Sequence, residues 1–159
     1  MANERPTQIV PPLRTRLSER SVEEIMMTVK RMTREDIRNS GVLNPVGHII
    51  LAFPDDIVAA EAVTALRAAG FAAEDILVYL GADAAQRLRE RISTASQTAG
   101  FGYEITLMRR YLSLAQEGCG WLIVYAPGDD AAVRVTEVAT RLCAKCAVRY
   151  HRLVNEDLI

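Results

Sequence analysis

Three cysteines and two histidines are the residues of this chain best equipped for chemistry. Cys143-Ala-Lys-Cys146 is a CxxC, and Cys119 stands just before an apolar run. Together they suggest a metal or redox site, with two physical points against it. A redox CxxC works from a helix N-terminus, where the dipole stabilises the thiolate, whereas this one follows a helical stretch, where the dipole raises the thiol pKa. Zinc asks for four ligands, and no second CxxC completes the set. Cysteine is also a small, readily buried residue suited to a tight helix-to-strand corner.

His48 and His151 are the residues able to titrate near neutral pH or to hold a metal with nearby carboxylates. Asp55-Asp56 and Asp129-Asp130 invite a general acid/base reading. Arg87, Arg89, Arg91, Arg109 and Arg110 make one segment locally basic, which suits an anion or phosphate as well as a solvated helix face. No G-x-G-x-x-G, P-loop, G-x-S-x-G or H-E-x-x-H is present.

The elements that position these residues follow from a coarse internal repeat. Gly47-His-Ile-Ile-Leu-Ala-Phe-Pro-Asp-Asp56 and Gly120-Trp-Leu-Ile-Val-Tyr-Ala-Pro-Gly-Asp-Asp130 share one grammar: glycine, apolar run, proline, paired aspartates, helical pattern. A second apolar run follows each helix, at 75–80 and 147–153. The reading is an α+β fold, a ferredoxin-like βαββαβ plait with strands at 48–53, 75–80, 120–126 and 147–153 in the order 4-1-3-2. Asp55 or Asp56 is expected to cap the first long helix, and Asp129 or Asp130 the last. A helical insertion, 82–118, separates strands two and three. Leu88, Ile92, Ala95 and Ala99 mark its first helix; Ile105, Met108, Leu112 and Ala115 mark its second.

Residues 1–46 form an N-terminal arm and the plait domain occupies 47–159. Residues 1–20 carry three prolines and four arginines and read as extended. Ser21-Val-Glu-Glu24 matches a capping box, so 22–31 should form an amphipathic helix.

This topology sorts the candidates. Cys119, Cys143 and Cys146 fall along one end of the sheet. His48 and His151 fall at the other end on adjacent strands, where register decides whether the rings share a face. The aspartate pairs lie at opposite ends, roughly 20 Å apart, too far to act together.

Both alternating sets of the central strands are apolar. A plait covers one face with its two helices, so the other face needs a cover of its own. The candidates are a second copy, the insert helices, or the arm helix. A homodimer through the open face, with arm or insert contributing, is the expected arrangement.

The net charge of −1 is far from the basic balance of a nucleic-acid binder. Trp121 and Tyr125 share a face of strand three, as the base-stacking aromatics of an RNA-recognition plait do. They lack its basic-Gly-aromatic signature, so with His48 and His151 they are kept as small-ligand candidates. No run reaches the ~18 apolar residues of a membrane span. An odd cysteine count and no apolar leader point to a reduced, cytoplasmic protein.

Gly70-Phe-Ala-Ala-Glu-Asp-Ile76 and Glu117-Gly-Cys-Gly-Trp-Leu-Ile-Val124 make residues 47–81 and 111–153 similar to small bacterial plait domains of the general-stress-protein-like kind. The resemblance implies a stress-associated or regulatory protein with no catalytic residue set to carry over. The expectation is a non-enzymatic homo-oligomer that binds protein or small ligands and needs no cofactor. The alternatives are a sensor or enzyme of dimeric α/β-barrel type, with its pocket between sheet and helices, and a thiol or metal protein using Cys119, Cys143 and Cys146.

Overall fold

The computed structural model describes residues 31–39, 45–95, 102–152 and 154–159. The helix expected over 22–31 lies outside these residues, apart from Arg31.

Five strands form one antiparallel sheet: β1 (His48–Phe53), β2 (Ile76–Tyr79), β3 (Gly120–Tyr125), β4 (Cys146–Tyr150) and β5 (Asn155–Asp157). Their order is β2-β3-β1-β4-β5, not the four-stranded 4-1-3-2 sheet expected. The difference is β5. The chain turns back after β4, His151 N–H donating to the Val154 carbonyl at 3.0 Å, and Asn155–Asp157 pair with Tyr150–Val148. Asn-Glu-Asp has no strand propensity, but charged residues suit an exposed edge.

Two helices follow the repeat and pack on one face: α2 (Asp56–Ala68) and α5 (Asp129–Arg141). The Asp55 carboxylate accepts from Val58 N–H at 2.8 Å, the expected N-cap. At α5 the expectation fails. Gly128 occupies the N-cap position without a side-chain bond, and Asp129 instead pairs with Arg149 at 2.8 Å. Gly120 shows why β3 begins with glycine. A Cβ there would stand 2.7 Å from Ala59 Cβ and 2.8 Å from the Asp55 carbonyl, so the tight approach of α2 excludes any side chain.

The insertion folds as α3 (Gly81–Ala95) and α4 (Gly102–Gln116), which pack on each other and over the second sheet face. Asp56 anchors α3 by accepting from Gly81 N–H at 2.9 Å, so adjacent aspartates serve the starts of different helices. A short helix not expected from the sequence, α1 (Arg34–Asn39), begins with a capping box. Thr33 Oγ1 accepts from Asp36 N–H at 3.2 Å, and the Asp36 carboxylate accepts from Thr33 N–H at 2.8 Å. Ile37 and Met32 pack into the core beneath α3 and α4.

The sheet is therefore covered on both sides by its own chain. β1 is buried along its whole length because each alternating set of its side chains meets helices. The face expected to seat a second copy carries α3 and α4, and a homodimer through that face is not needed to bury it. Among the described residues no helix is long and apolar enough to cross a membrane.

Candidate functional site

The two cores differ in composition. The α2/α5 side is aliphatic apart from Phe53 and Phe71. The α3/α4 side holds Tyr79, Tyr111, Trp121 and Tyr150 with two thiols. Irregular aromatic shapes leave a cavity of about 70 Å³ there, between sheet and insertion. Its floor is Ile50 of β1, Ile123 and Trp121 of β3, and Tyr79 of β2. Tyr79 and Trp121 are direct cross-strand partners, so their side chains stand side by side. Its roof is one stripe of α3, Ala84, Leu88, Arg87 and Arg91, at the three- and four-residue spacing that shares a helix face. Tyr111 of α4 and Ile37 of α1 close the sides.

Its polar groups are unusual. Trp121 Nε1 and the Tyr79 hydroxyl are both buried, and neither has a hydrogen-bond partner among the described residues. Leaving such a group unbonded costs about 1–3 kcal/mol each. Cations surround the same phenol: the guanidinium of Arg34 lies 5.0 Å and that of Arg87 5.5 Å from the Tyr79 ring centroid. Arg91 donates to the Ile37 carbonyl. Burial lowers its pKa, and the Tyr79 phenol opposes that shift while Arg87 adds to it. The deeper hydroxyls of this core are satisfied. Tyr111 and Tyr150 share a 2.9 Å hydrogen bond, and burial raises both phenol pKa values well above the ordinary range. Tyr111 also meets Trp121 edge-on, centroids 5.3 Å apart.

Of the residues picked from sequence, Trp121 lines this cavity; Tyr125, His48 and His151 do not. His48 is a satisfied core histidine. Its Nδ1 lies 3.1 Å from the Val46 carbonyl, and its Nε2 accepts from Met32 N–H at 3.1 Å, which assigns the neutral ring with hydrogen on Nδ1. Burial lowers its pKa, outweighing the opposing Val46 and Pro45 carbonyls. Tyr125, its cross-strand partner, packs on the ring at 5.1 Å, with the Arg31 guanidinium 5.6 Å from the Tyr125 centroid.

His151 goes elsewhere. It lines a wide groove of about 850 Å³ beside α5, with Arg149, Asp129 and Glu156. Register sends residues 146, 148 and 150 to the α3/α4 core and 147 to the α2/α5 core, so the rim shared by two histidines does not form. Within the groove Arg149 pairs with Asp129 at 2.8 Å, and His151 Nε2 lies 3.0 Å from the Glu156 carboxylate.

The cysteines divide as well. Cys119 and Cys146 are buried at one end of the sheet, in the α3/α4 core, whereas Cys143 is exposed. Burial pushes the Cys146 thiol up to about 11 and raises that of Cys119, the opposite of a reactive thiolate. Cys143 sits at φ 54° in a left-handed helix cap, with Cys143 N–H on the Thr140 carbonyl and Ala144 N–H on that of Ala139. Among the described residues no three His, Cys, Asp or Glu side chains converge as for a metal.

Sequence reasoning missed Tyr79 as a site residue, and it noted Arg87 and Arg91 only as part of a basic segment. The signal available was their spacing: residues 84, 87, 88 and 91 describe a helix face that is apolar with cations at its edge.

No family model, no curated protein and no solved structure matches the chain.

Proposed function

We propose that this chain is a non-catalytic small-ligand-binding protein whose site is the cavity between the sheet and the inserted helices. The scaffold is read as a ferredoxin-like plait extended by β5 and elaborated by α3 and α4. The observation that carries the reading is that two neighbouring residues lining one cavity, Trp121 and Tyr79, bury an indole N–H and a hydroxyl without hydrogen-bond partners among the described residues. A pocket with apolar walls and a few convergent polar groups is the usual form of a small-molecule site. The lining holds no carboxylate, imidazole, thiol or aliphatic hydroxyl, which favours binding over catalysis. The exposed free thiol of Cys143 suits a reducing compartment, and a binding role is compatible with the stress-associated regulation that the resemblance implies.

Trp121 is the single tryptophan of the chain, so its fluorescence reports on the site directly. A metabolite library screened by tryptophan emission and thermal shift should give ligands that change both. If every stabilising ligand leaves the emission unchanged, binding lies elsewhere and the reading fails.

A further inference from the structure

We infer that the cavity takes a small monocarboxylate with a short apolar tail. This rests on the reading of the cavity as a binding site and adds the ligand's chemistry.

The donors decide the head group. The Trp121 indole N–H can only donate, and so can the Arg87 guanidinium; the Tyr79 hydroxyl can do either. A ligand satisfying this set must bring acceptors. Charge points the same way. Among the described residues no Asp or Glu lines the cavity. Arg34 and Arg87 lie against the Tyr79 ring, and neither forms an ion pair with a carboxylate among the described residues. A carboxylate offers two oxygens, enough to accept from the indole, the phenol and a guanidinium together, and it matches the planar fork of arginine.

The walls and the volume decide the rest. Ile37, Ile50, Leu88 and Ile123 offer no partner to further oxygens, so a phosphate would bury acceptors against aliphatic carbon. A cavity of about 70 Å³ with aliphatic walls leaves room for only a few carbon atoms behind the head group, which suits a short tail.

The test uses the full chain and three probes of one shape, isobutyrate, isobutyramide and isobutylamine, titrated by calorimetry and Trp121 emission. The expected result is isobutyrate binding about tenfold more tightly than the amide, the gain of an ion pair over a guanidinium–carbonyl hydrogen bond, with no binding of the amine. Arg87→Gln should remove most of that preference, weakening isobutyrate far more than the amide, and Arg87→Lys should restore part of it. Arg87 is exposed, so the variants are expected to fold. Preference for the amide or the amine overturns the ligand class and leaves the cavity standing as a site. An Arg87→Gln variant with unaltered preference also overturns it. Silence from all three probes overturns the carboxylate assignment, and the library screen then decides separately whether the cavity binds anything.

Discussion

Leu122 and Ile123 are neighbours on β3, yet they enter two different cores. Leu122 meets the helices of the repeat, α2 and α5, in a face of alanine, valine and leucine whose buried side chains carry no unbonded polar atom among the described residues. Ile123 meets the inserted helices in a face with edge-on aromatics, two thiols, a buried tyrosine pair and a cavity. Proteins close their cores tightly when nothing else is asked of them. On the proposed reading, the uneven standard across one sheet separates a scaffold face from a binding face. The repeat builds the first, and the insertion creates the second.

The largest effect separates the faces directly. Leu122→Ala should cost about 3–5 kcal/mol of unfolding free energy in urea, since it opens a void in a filled core. Ile123→Ala should cost nearer 2 kcal/mol, mostly lost transfer energy, because it enlarges a cavity already present. Equal costs would erase the contrast.

A second effect concerns the arm side of the cavity face, where His48 holds the Met32 backbone. The folded pKa of His48 lies below 6.5, lowered by burial. Below pH 6.5 the unfolded chain binds a proton that the folded chain refuses, so this stability is present above 6.5 and is lost as pH falls toward the folded pKa. The slope is at most about 1.4 kcal/mol per pH unit. His48→Gln should flatten the stability profile between pH 7 and 5 relative to the parent; an unchanged slope would show that His48 does not titrate there.

The smallest effect belongs to the scaffold face. Helices α2 and α4 end with Gly70 at φ 97° and Gly118 at φ 94°, whereas α5 ends with Cys143 in the same left-handed region. Cys143→Gly should stabilise by about 1 kcal/mol, read as a higher denaturation midpoint. A loss would mean the thiol contributes something beyond the cap.

Much of this organisation was legible in the chain. The Gly–apolar–Pro–Asp repeat, with the apolar run after each helix, located four strands and both long helices of the α2/α5 face, and the spacing of Leu88, Ile92, Ile105, Met108 and Leu112 located the insertion. What covered the second face was not legible, because periodicity reports which residues are apolar and not which surface they meet. Strand β5 gave no signal, its residues being the ones strands usually avoid. The site followed the same divide. Trp121 was picked with Tyr125 as aromatics sharing one face of an apolar strand, while Tyr79 and Arg87 became informative only when cross-strand register and a helix face brought them together. His48 looked reactive in isolation and is silenced by Val46 and by the Met32 amide, a contact across sixteen residues.

The central claim is that the α3/α4 face keeps polar groups unsatisfied for a ligand, and the stability of two tyrosine-to-phenylalanine variants tests it most directly. Tyr111→Phe breaks a buried hydrogen bond and strands the Tyr150 hydroxyl, so it should cost about 1–3 kcal/mol. Tyr79→Phe removes a hydroxyl that is buried without a hydrogen-bond partner among the described residues, so it should leave stability unchanged or raise it by about 1 kcal/mol. A Tyr79→Phe variant as destabilised as Tyr111→Phe would show that hydroxyl already satisfied within the fold, and the cavity would then be packing rather than a site.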